Sequence, residues 1–196
     1  MAYFTKNEAR SAARSTVSKS FRSDAKAILE SESRSASSYE SFDVFLSHSS
    51  KDAELVLGVK TLLEGYSLKV YVDWHDDPQA SRDNVTKETA DLLRIRMKQS
   101  KSLIFIATDN ATESKWMPWE LGFFDANSGG AVAIMPLLDS PNQSFRGQEY
   151  LGLYPIVDKG QYSNTGANET FVSKKDGWQT LRSFGKGTTS WNRYSS

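Results

Sequence analysis

Three short clusters of polar and aromatic residues follow apolar runs, and these clusters are where the chain could perform chemistry. The first is 47–50, Ser-His-Ser-Ser, and the second is 73–75, Asp-Trp-His. The third contains Ser114, Trp116 and Glu120. Hydroxyl, imidazole and carboxylate groups hold ligands and move protons, whereas a Trp ring stacks on a base or on a cationic ring. Trp116 and Glu120 are four residues apart, so on a helix they lie on one face.

Several common chemistries are excluded by what the sequence lacks. It has neither a GxGxxG nor a GxxxxGK[ST] motif, which argues against dinucleotide and P-loop sites, and no GxSxG nucleophile motif. Cysteine is absent, so there is no disulfide, thiolate nucleophile or zinc–thiolate site. Only His48 and His75 are present, and the acidic pair Asp76-Asp77 precedes a proline, which is typical of a turn. We therefore expect no metal and no bound cofactor.

Alternating apolar runs and amphipathic segments must position these clusters. Consecutive apolar residues indicate strands that are covered on both faces, and their alternation with helices predicts a parallel sheet. The sequence predicts an open, doubly wound, mostly parallel five-stranded α/β sheet. The predicted strands are 42–47, 68–73, 102–107, 131–138 and 152–157, and the predicted helices are 52–64, 85–99 and 116–126. In such folds ligands bind at the carboxyl ends of the strands, where the first two clusters and 108–110, Thr-Asp-Asn, lie; the third cluster lies at the start of the helix that follows the third strand.

Length and charge limit the class of protein and its partners. The chain has 196 residues, with 24 basic and 24 acidic side chains that balance to a net charge of zero. This balance argues against broad electrostatic binding to nucleic acid or to an anionic membrane. We find no apolar run long enough to span a bilayer and no secretory signal, so we expect a cytoplasmic protein.

The two ends of the chain differ in composition from its centre. Residues 1–41 contain 11 serines, and Thr5 and Glu8 have the spacing of a helix capping box. We predict a helix over 6–30, a linker over 31–38 and a main domain over 42–160. The N-terminal arm is interpreted as a docking extension or as an oligomerisation helix. The C-terminal extension, 161–196, is expected to pack on the domain or trail from it, with a short helix near 178–184.

Five segments in order resemble one protein family. Residues 42–52 resemble the first strand and turn of TIR (Toll/interleukin-1 receptor) domains, and 70–74 resemble their second strand. Residues 102–106 correspond to the third strand, and 114–121 resemble the S-x-W-x-x-x-E segment of catalytically active members. Residues 147–155 resemble a later region of stand-alone bacterial TIR proteins. The resemblance implies the flavodoxin-like TIR fold.

The resemblance also implies a reaction. Active TIR domains cleave the nicotinamide–ribose bond of NAD+ and give nicotinamide with ADP-ribose or a cyclic ADP-ribose isomer. In bacteria such nucleotides serve as signals to a nucleotide-sensing effector in anti-phage systems of the Thoeris kind. Glu120 aligns with the family's catalytic glutamate, and the loop over 74–84 corresponds to the BB loop through which TIR domains self-associate. We expect substrate-binding roles for Ser47, His48, Asp73, Trp74, Ser114 and Trp116.

Other interpretations of these residues stay open. Glu120 could be a solvated helix carboxylate, and Trp116 could belong to the core, as we expect for Trp119. The chain could be a non-enzymatic TIR scaffold, although many scaffolds lack the glutamate. It could also resemble nucleoside deoxyribosyltransferases, which use a glutamate at an N-glycosidic bond on a similar fold.

Overall fold

A computed structural model describes residues 2–20, 24–37, 39–74, 87–129 and 131–194. Within these residues an eight-stranded sheet is packed between helices. The strands are β1 (Phe4–Thr5), β2 (Phe42–Ser47), β3 (Val70–Tyr71), β4 (Ser100–Ala107), β5 (Val132–Leu138), β6 (Ile156–Gln161), β7 (Asn168–Lys174) and β8 (Gly177–Thr180). The helices are α1 (Lys6–Lys19), α2 (Ala25–Ser35), α3 (Ala53–Gly65), α4 (Lys87–Lys98), α5 (Trp116–Ser128) and α6 (Leu181–Gly185).

The centre of the sheet is the predicted parallel core. Its strands run in the order β3-β2-β4-β5-β6, and every neighbouring pair is parallel. This is the flavodoxin-like order, in which the chain reverses its direction of winding between β2 and β4. The predicted doubly wound fold is therefore confirmed. The strand predicted over 68–73 is shorter than expected, since β3 covers only two residues.

The sheet separates two hydrophobic cores. One contains Val44, Leu46 and Ile104 from the sheet and is covered by α1, α2, α3 and α6. The other contains Phe45 and Phe105, together with side chains of α4 and α5. Both faces of the parallel strands are thus buried, which explains why their apolar residues are consecutive in the sequence.

The N-terminal segment forms two helices, so the prediction of one helix over 6–30 was wrong. The capping box is confirmed, because Thr5 Oγ1 accepts from the Glu8 N–H at 3.1 Å and Glu8 accepts from the Thr5 N–H at 2.8 Å. However, α1 ends where Ser20 takes an extended conformation, and Asp24 caps α2 by accepting from the Ala27 N–H at 2.8 Å. A second N-cap breaks a continuous helix because its own backbone is extended.

The predicted linker over 31–38 is mostly helical. Helix α2 continues to Ser35, because Ile28 and Leu29 are buried against the core and hold its preceding turns in place. The segment is also tied to the domain through β1, whose Phe4 pairs with Leu137 of β5. Helix α1 packs closely on α3, with Ala9 fully buried in the contact.

The C-terminal region contains two strands that the sequence did not predict. Strands β7 and β8 extend the sheet beyond β6 in antiparallel pairing. The strand predicted over 152–157 was misplaced, since a 3₁₀ turn, Glu149–Leu153, precedes β6. The helix predicted near 178–184 begins later, at Leu181, where Thr180 Oγ1 accepts from the Ser183 N–H at 3.1 Å.

Asp43 at the start of β2 joins three parts of the fold. Its buried carboxylate accepts from Lys101 Nζ at 2.9 Å, from Lys186 Nζ at 2.6 Å and from the Lys69 N–H at 2.8 Å. Burial alone would raise the pKa of Asp43, but these three donors hold it below its ordinary value. The ionised carboxylate therefore stabilises the folded state.

We expect Asp43→Asn to destabilise the fold by about 1–2 kcal/mol at pH 7. This is the low end of the range for a hydrogen bond to a charged group, because the side chains of Lys101 and Lys186 are nearly half-exposed and solvent screens their charges. Because the folded-state pKa is lowered, the difference should be full above the unfolded-state pKa and vanish as the pH falls through the folded-state value. Urea unfolding at several pH values measures it. Asp91→Asn, at an exposed aspartate of α4, is the control. A difference that persists at low pH contradicts this account.

Candidate active site

The candidate site lies where the carboxyl ends of β2 and β4 diverge. Ser47 is the last residue of β2, and His48 and Ser49 follow it directly; all three are buried. Asp73 and Trp74 follow the neighbouring strand β3 and are also buried. The carboxyl ends of β2 and β4 flank the reversal point of the sheet, where open α/β folds bind their ligands.

Glu120 is the central residue of this region. It is the fifth residue of α5 and only 3% exposed, and its Oε2 accepts a hydrogen bond from Ser47 Oγ at 2.5 Å. A buried carboxylate is costly unless donors satisfy it, so the Ser47 hydroxyl holds the Glu120 side chain in one orientation. The two residues are 73 positions apart in the chain, and the fold brings together two of the predicted site residues.

The start of α5 determines where Glu120 lies. Ser114 Oγ accepts from the Met117 N–H at 3.3 Å and so satisfies one of the free donors of the first turn. Pro118 lies within that turn, where a missing N–H costs little. The structure therefore gives Ser114 a capping role, and its predicted contact with substrate stays a prediction.

His48 and Trp74 form a stacked pair. Their ring centroids are 5.1 Å apart and the planes differ by 8°. His48 Nδ1 lies 2.9 Å from the Leu46 carbonyl oxygen, which only accepts, so Nδ1 carries the proton. The Trp74 backbone N–H donates to Ser33 Oγ of α2 at 3.2 Å. Two further predicted site residues thus lie side by side.

The Asp73 carboxylate is held by a residue of the strand that precedes it. Its Oδ1 accepts from the Tyr71 hydroxyl at 3.1 Å. Burial raises the pKa of Tyr71, and the negative charge of Asp73 raises it further, so the hydroxyl remains a donor. The Arg96 guanidinium lies 5.3 Å from the centre of the Tyr71 ring. The hydrogen bond from Tyr71 orients the Asp73 carboxylate, and a contact with a ligand hydroxyl stays a prediction.

The two tryptophans of α5 are buried to different degrees. Trp116 is 7% exposed and meets Trp119 edge to face, with centroids 5.3 Å apart. Trp119, expected in the core, is only partly buried, and the Arg94 guanidinium lies over its ring at 5.3 Å. Trp116 thus lies deeper than Trp119, in the hydrophobic core on the α4 and α5 side of the sheet and one turn from Glu120, and its role as a wall of the site stays a prediction.

Asp52 was not singled out from the sequence, yet it connects the loops that follow β2 and β4. Its carboxylate accepts from Thr108 Oγ1 and from Asn110 Nδ2, both at 2.6 Å. The sequence did contain a signal for this contact. Asp52 is the last residue of the segment 42–52 that resembles TIR domains, and the polar residues 108–110 directly follow a predicted strand. The network fixes the spacing of the two strand ends that frame the reversal point.

A cleft of about 540 Å³ opens at the carboxyl ends of β4 and β5. Its walls include Thr108 and Asp109 on one side and Arg146, Gly147 and Gln148 on the other. The last two belong to the segment that resembled stand-alone bacterial TIR proteins. This cleft provides room for a ligand next to the Asp52 network.

Some predictions fall on residues that the structure does not describe. His75, the turn at Asp76-Asp77 and the 74–84 loop apart from Trp74 lie outside the described residues. Within the described ranges, no group of three His, Asp or Glu side chains is arranged to hold a metal ion. In the same ranges, no helix has the length and hydrophobicity needed to cross a bilayer.

Comparisons with known proteins identify the family of this chain. The family model for the TIR domain matches residues 44–162, so the chain belongs to the TIR domain family. It is 44% identical over 177 residues to a Bacillus cereus (strain MSX-D12) protein named "Probable 3' cyclic ADP-D-ribose synthase ThsB'", covering 88% of this chain and 91% of that protein. It is 34% identical over 93 residues to a Cytobacillus dafuensis protein named "Putative cyclic ADP-D-ribose synthase TIR2", covering 47% of this chain and 24% of that protein.

Proposed function

We propose that this TIR protein cleaves the nicotinamide–ribose bond of NAD+ and forms a cyclic ADP-ribose isomer. The observation that carries the proposal is the buried Glu120 carboxylate, held by Ser47 at the reversal point of the sheet. The TIR family match and the names of both relatives support the same reaction. NAD+ is the substrate, and the reaction calls for no further cofactor.

The chemistry requires little of the protein beyond charge and position. The C–N bond breaks with its electron pair on nicotinamide, which departs as a neutral base, so a strong general acid is unnecessary. The ribose carbon takes on oxocarbenium character, as in glycoside cleavage. A fixed carboxylate offsets this positive charge, which is the role we assign to Glu120. A nucleophilic atom at the adenosine end then forms the new bond and closes the ring, whereas attack by water gives linear ADP-ribose.

Ser47 is proposed as a positioning residue for that carboxylate. We expect Ser47→Ala to lower turnover by about tenfold or more, because the buried carboxylate loses a donor and its fixed orientation. Ser47→Thr keeps the hydroxyl and should recover most of the activity. Nicotinamide release measures turnover and thermal melting measures stability, so the two together separate a loss of catalysis from a loss of folding. Equal activity of Ser47→Ala and wild type, or equal losses in both variants, contradicts the assignment.

Trp116 is proposed as a wall that favours ring closure. Stacking of the adenine on this ring would hold the adenosine end near the reacting carbon and make its attack effectively unimolecular. We expect Trp116→Ala to shift products from cyclic to linear ADP-ribose, beyond any fall in total turnover. Chromatography normalised to nicotinamide released measures the ratio. If Trp116 only packs, both products fall together and the ratio stays the same.

We further propose that the enzyme acts in the cytoplasm as an assembly. The 74–84 loop would complete a neighbouring site, and the cyclic nucleotide would signal to a nucleotide-sensing effector in anti-phage defence. The proposal rests on the family resemblance, and dilution tests its first part. Specific activity should fall as light scattering shows assemblies giving way to monomers. Constant specific activity in a range that contains only monomers would exclude the requirement.

A further inference from the structure

A second cavity lies on the C-terminal part of the sheet. Its residues are distant in sequence from the strand ends that form the candidate active site. It has a volume of about 340 Å³ and opens over β6, β7 and β8. The described residues that line it include Asp158, Tyr162, Phe171, Trp178 and Tyr194. None of these residues has a role in the proposed NAD+ reaction.

Three aromatic rings form the apolar part of this cavity. Tyr162, Phe171 and Trp178 meet one another edge to face, with centroids 5.2–5.9 Å apart and planes inclined by 69–85°. Edge-to-face packing is favourable in itself and holds the rings in fixed orientations. Tyr194 adds a fourth ring, which is 48% exposed. Three packed aromatic rings and the half-exposed ring of Tyr194 therefore line part of this open cavity.

A buried carboxylate lies among these rings. Asp158 of β6 is directly opposite Phe171 of β7 and is only 3% exposed. Its Oδ2 atom is buried and has no hydrogen-bond partner among the described residues. Burial raises the pKa of Asp158, and the Ser173 hydroxyl and the positive charge of the chain's own N-terminal ammonium oppose this effect only in part. A carboxylate buried in this way attracts a positive charge that lies close to it.

We propose that this cavity binds an organic ammonium group. The cation would lie against the Asp158 carboxylate, whose negative charge attracts it, and the aromatic rings would attract it further, as in known aromatic sites for alkylammonium ligands. The volume is within the range of small-ligand pockets. The ammonium group belongs either to a free amine or to a lysine side chain of a peptide. Both sources share the same recognition chemistry.

Ligand-observed saturation-transfer NMR on the full chain tests the proposal. The probes are n-butylammonium, the neutral isostere butyramide, and an Ala-Lys-Ala tripeptide with both ends blocked. We expect n-butylammonium or the tripeptide to bind and butyramide to bind at least tenfold more weakly, and the tighter of the first two identifies the source. Absence of binding by both cationic probes, or equal binding of butyramide, overturns the proposal.

Two variants and a control assign the binding to this cavity. Asp158→Asn keeps the size of the side chain and removes its charge, so binding of the cationic probe should weaken at least tenfold. Trp178→Leu removes an aromatic face and should also weaken it, which keeps the test informative if the first variant folds poorly. Asp176→Asn, in the exposed turn between β7 and β8, should bind like wild type. Unchanged binding in both cavity variants contradicts the assignment.

Discussion

Glu120→Gln is expected to lower NAD+ turnover by roughly 10²–10³-fold while the protein remains folded. The substitution keeps the shape of the side chain and its ability to accept a hydrogen bond from Ser47, but it removes the negative charge. The charge matters most when the ribose becomes positive, so the loss should appear in kcat more than in KM. Nicotinamide release under saturating NAD+ measures the effect.

The control for this substitution is Glu149→Gln, which makes the same chemical change at an exposed glutamate of the 3₁₀ turn before β6. It should retain wild-type turnover, and both variants should show wild-type circular dichroism. A folded Glu120→Gln enzyme with turnover near the wild-type level would remove Glu120 from the mechanism. A loss that appears only in KM would assign it to binding alone.

Gly58→Ala is expected to cause the largest loss of stability, roughly 3 kcal/mol or more. A Cβ atom on Gly58 of α3 would lie 1.9 Å from the Ala9 carbonyl oxygen and 2.4 Å from its carbonyl carbon. These are backbone atoms of α1, so no side-chain rotation relieves the clash and α1 must move away from α3. The clash outweighs the ~1 kcal/mol by which Ala is the better helix former.

Gly122→Ala on α5 provides the matched control. A Cβ atom there meets no heavy atom within 4 Å, so the substitution should stabilise the protein slightly through helix propensity alone. Urea unfolding of both variants gives the comparison, and amide hydrogen exchange in α1 shows whether that helix has undocked. Equal stability of Gly58→Ala and wild type would contradict the close packing of α1 on α3.

The parallel core could be predicted from the sequence because its strands are buried on both faces. Residues 103–107 are apolar at every position, and so short a run with polar residues on either side is typical of a buried strand, since helices are usually longer. Strand β7 was missed for the opposite reason. Its polar ends and its Thr and Ser positions resemble a loop, although Asp176-Gly177 at the following turn is a known hairpin signal.

The sequence singled out the candidate site residues one by one, but it did not predict how they are arranged in space. The spacing of Trp116 and Glu120 indicated one helix face, whereas the contact between Ser47 and Glu120 depends on how α5 packs against β2. Burial of the two tryptophans was assigned in the wrong order, because two Trp residues one turn apart on an apolar helix look alike in sequence. The Asp52 network was missed since its partners are more than 50 residues away.

The most direct measurement of the central claim is a product analysis of the purified protein with NAD+. The protein is incubated at concentrations that favour assembly, and nicotinamide and adenine nucleotides are followed by chromatography and mass spectrometry. The account predicts that nicotinamide accumulates together with a nucleotide of the mass of cyclic ADP-ribose, and that neither appears with Glu120→Gln. Intact NAD+ after prolonged incubation of assembled, folded wild-type protein would contradict it.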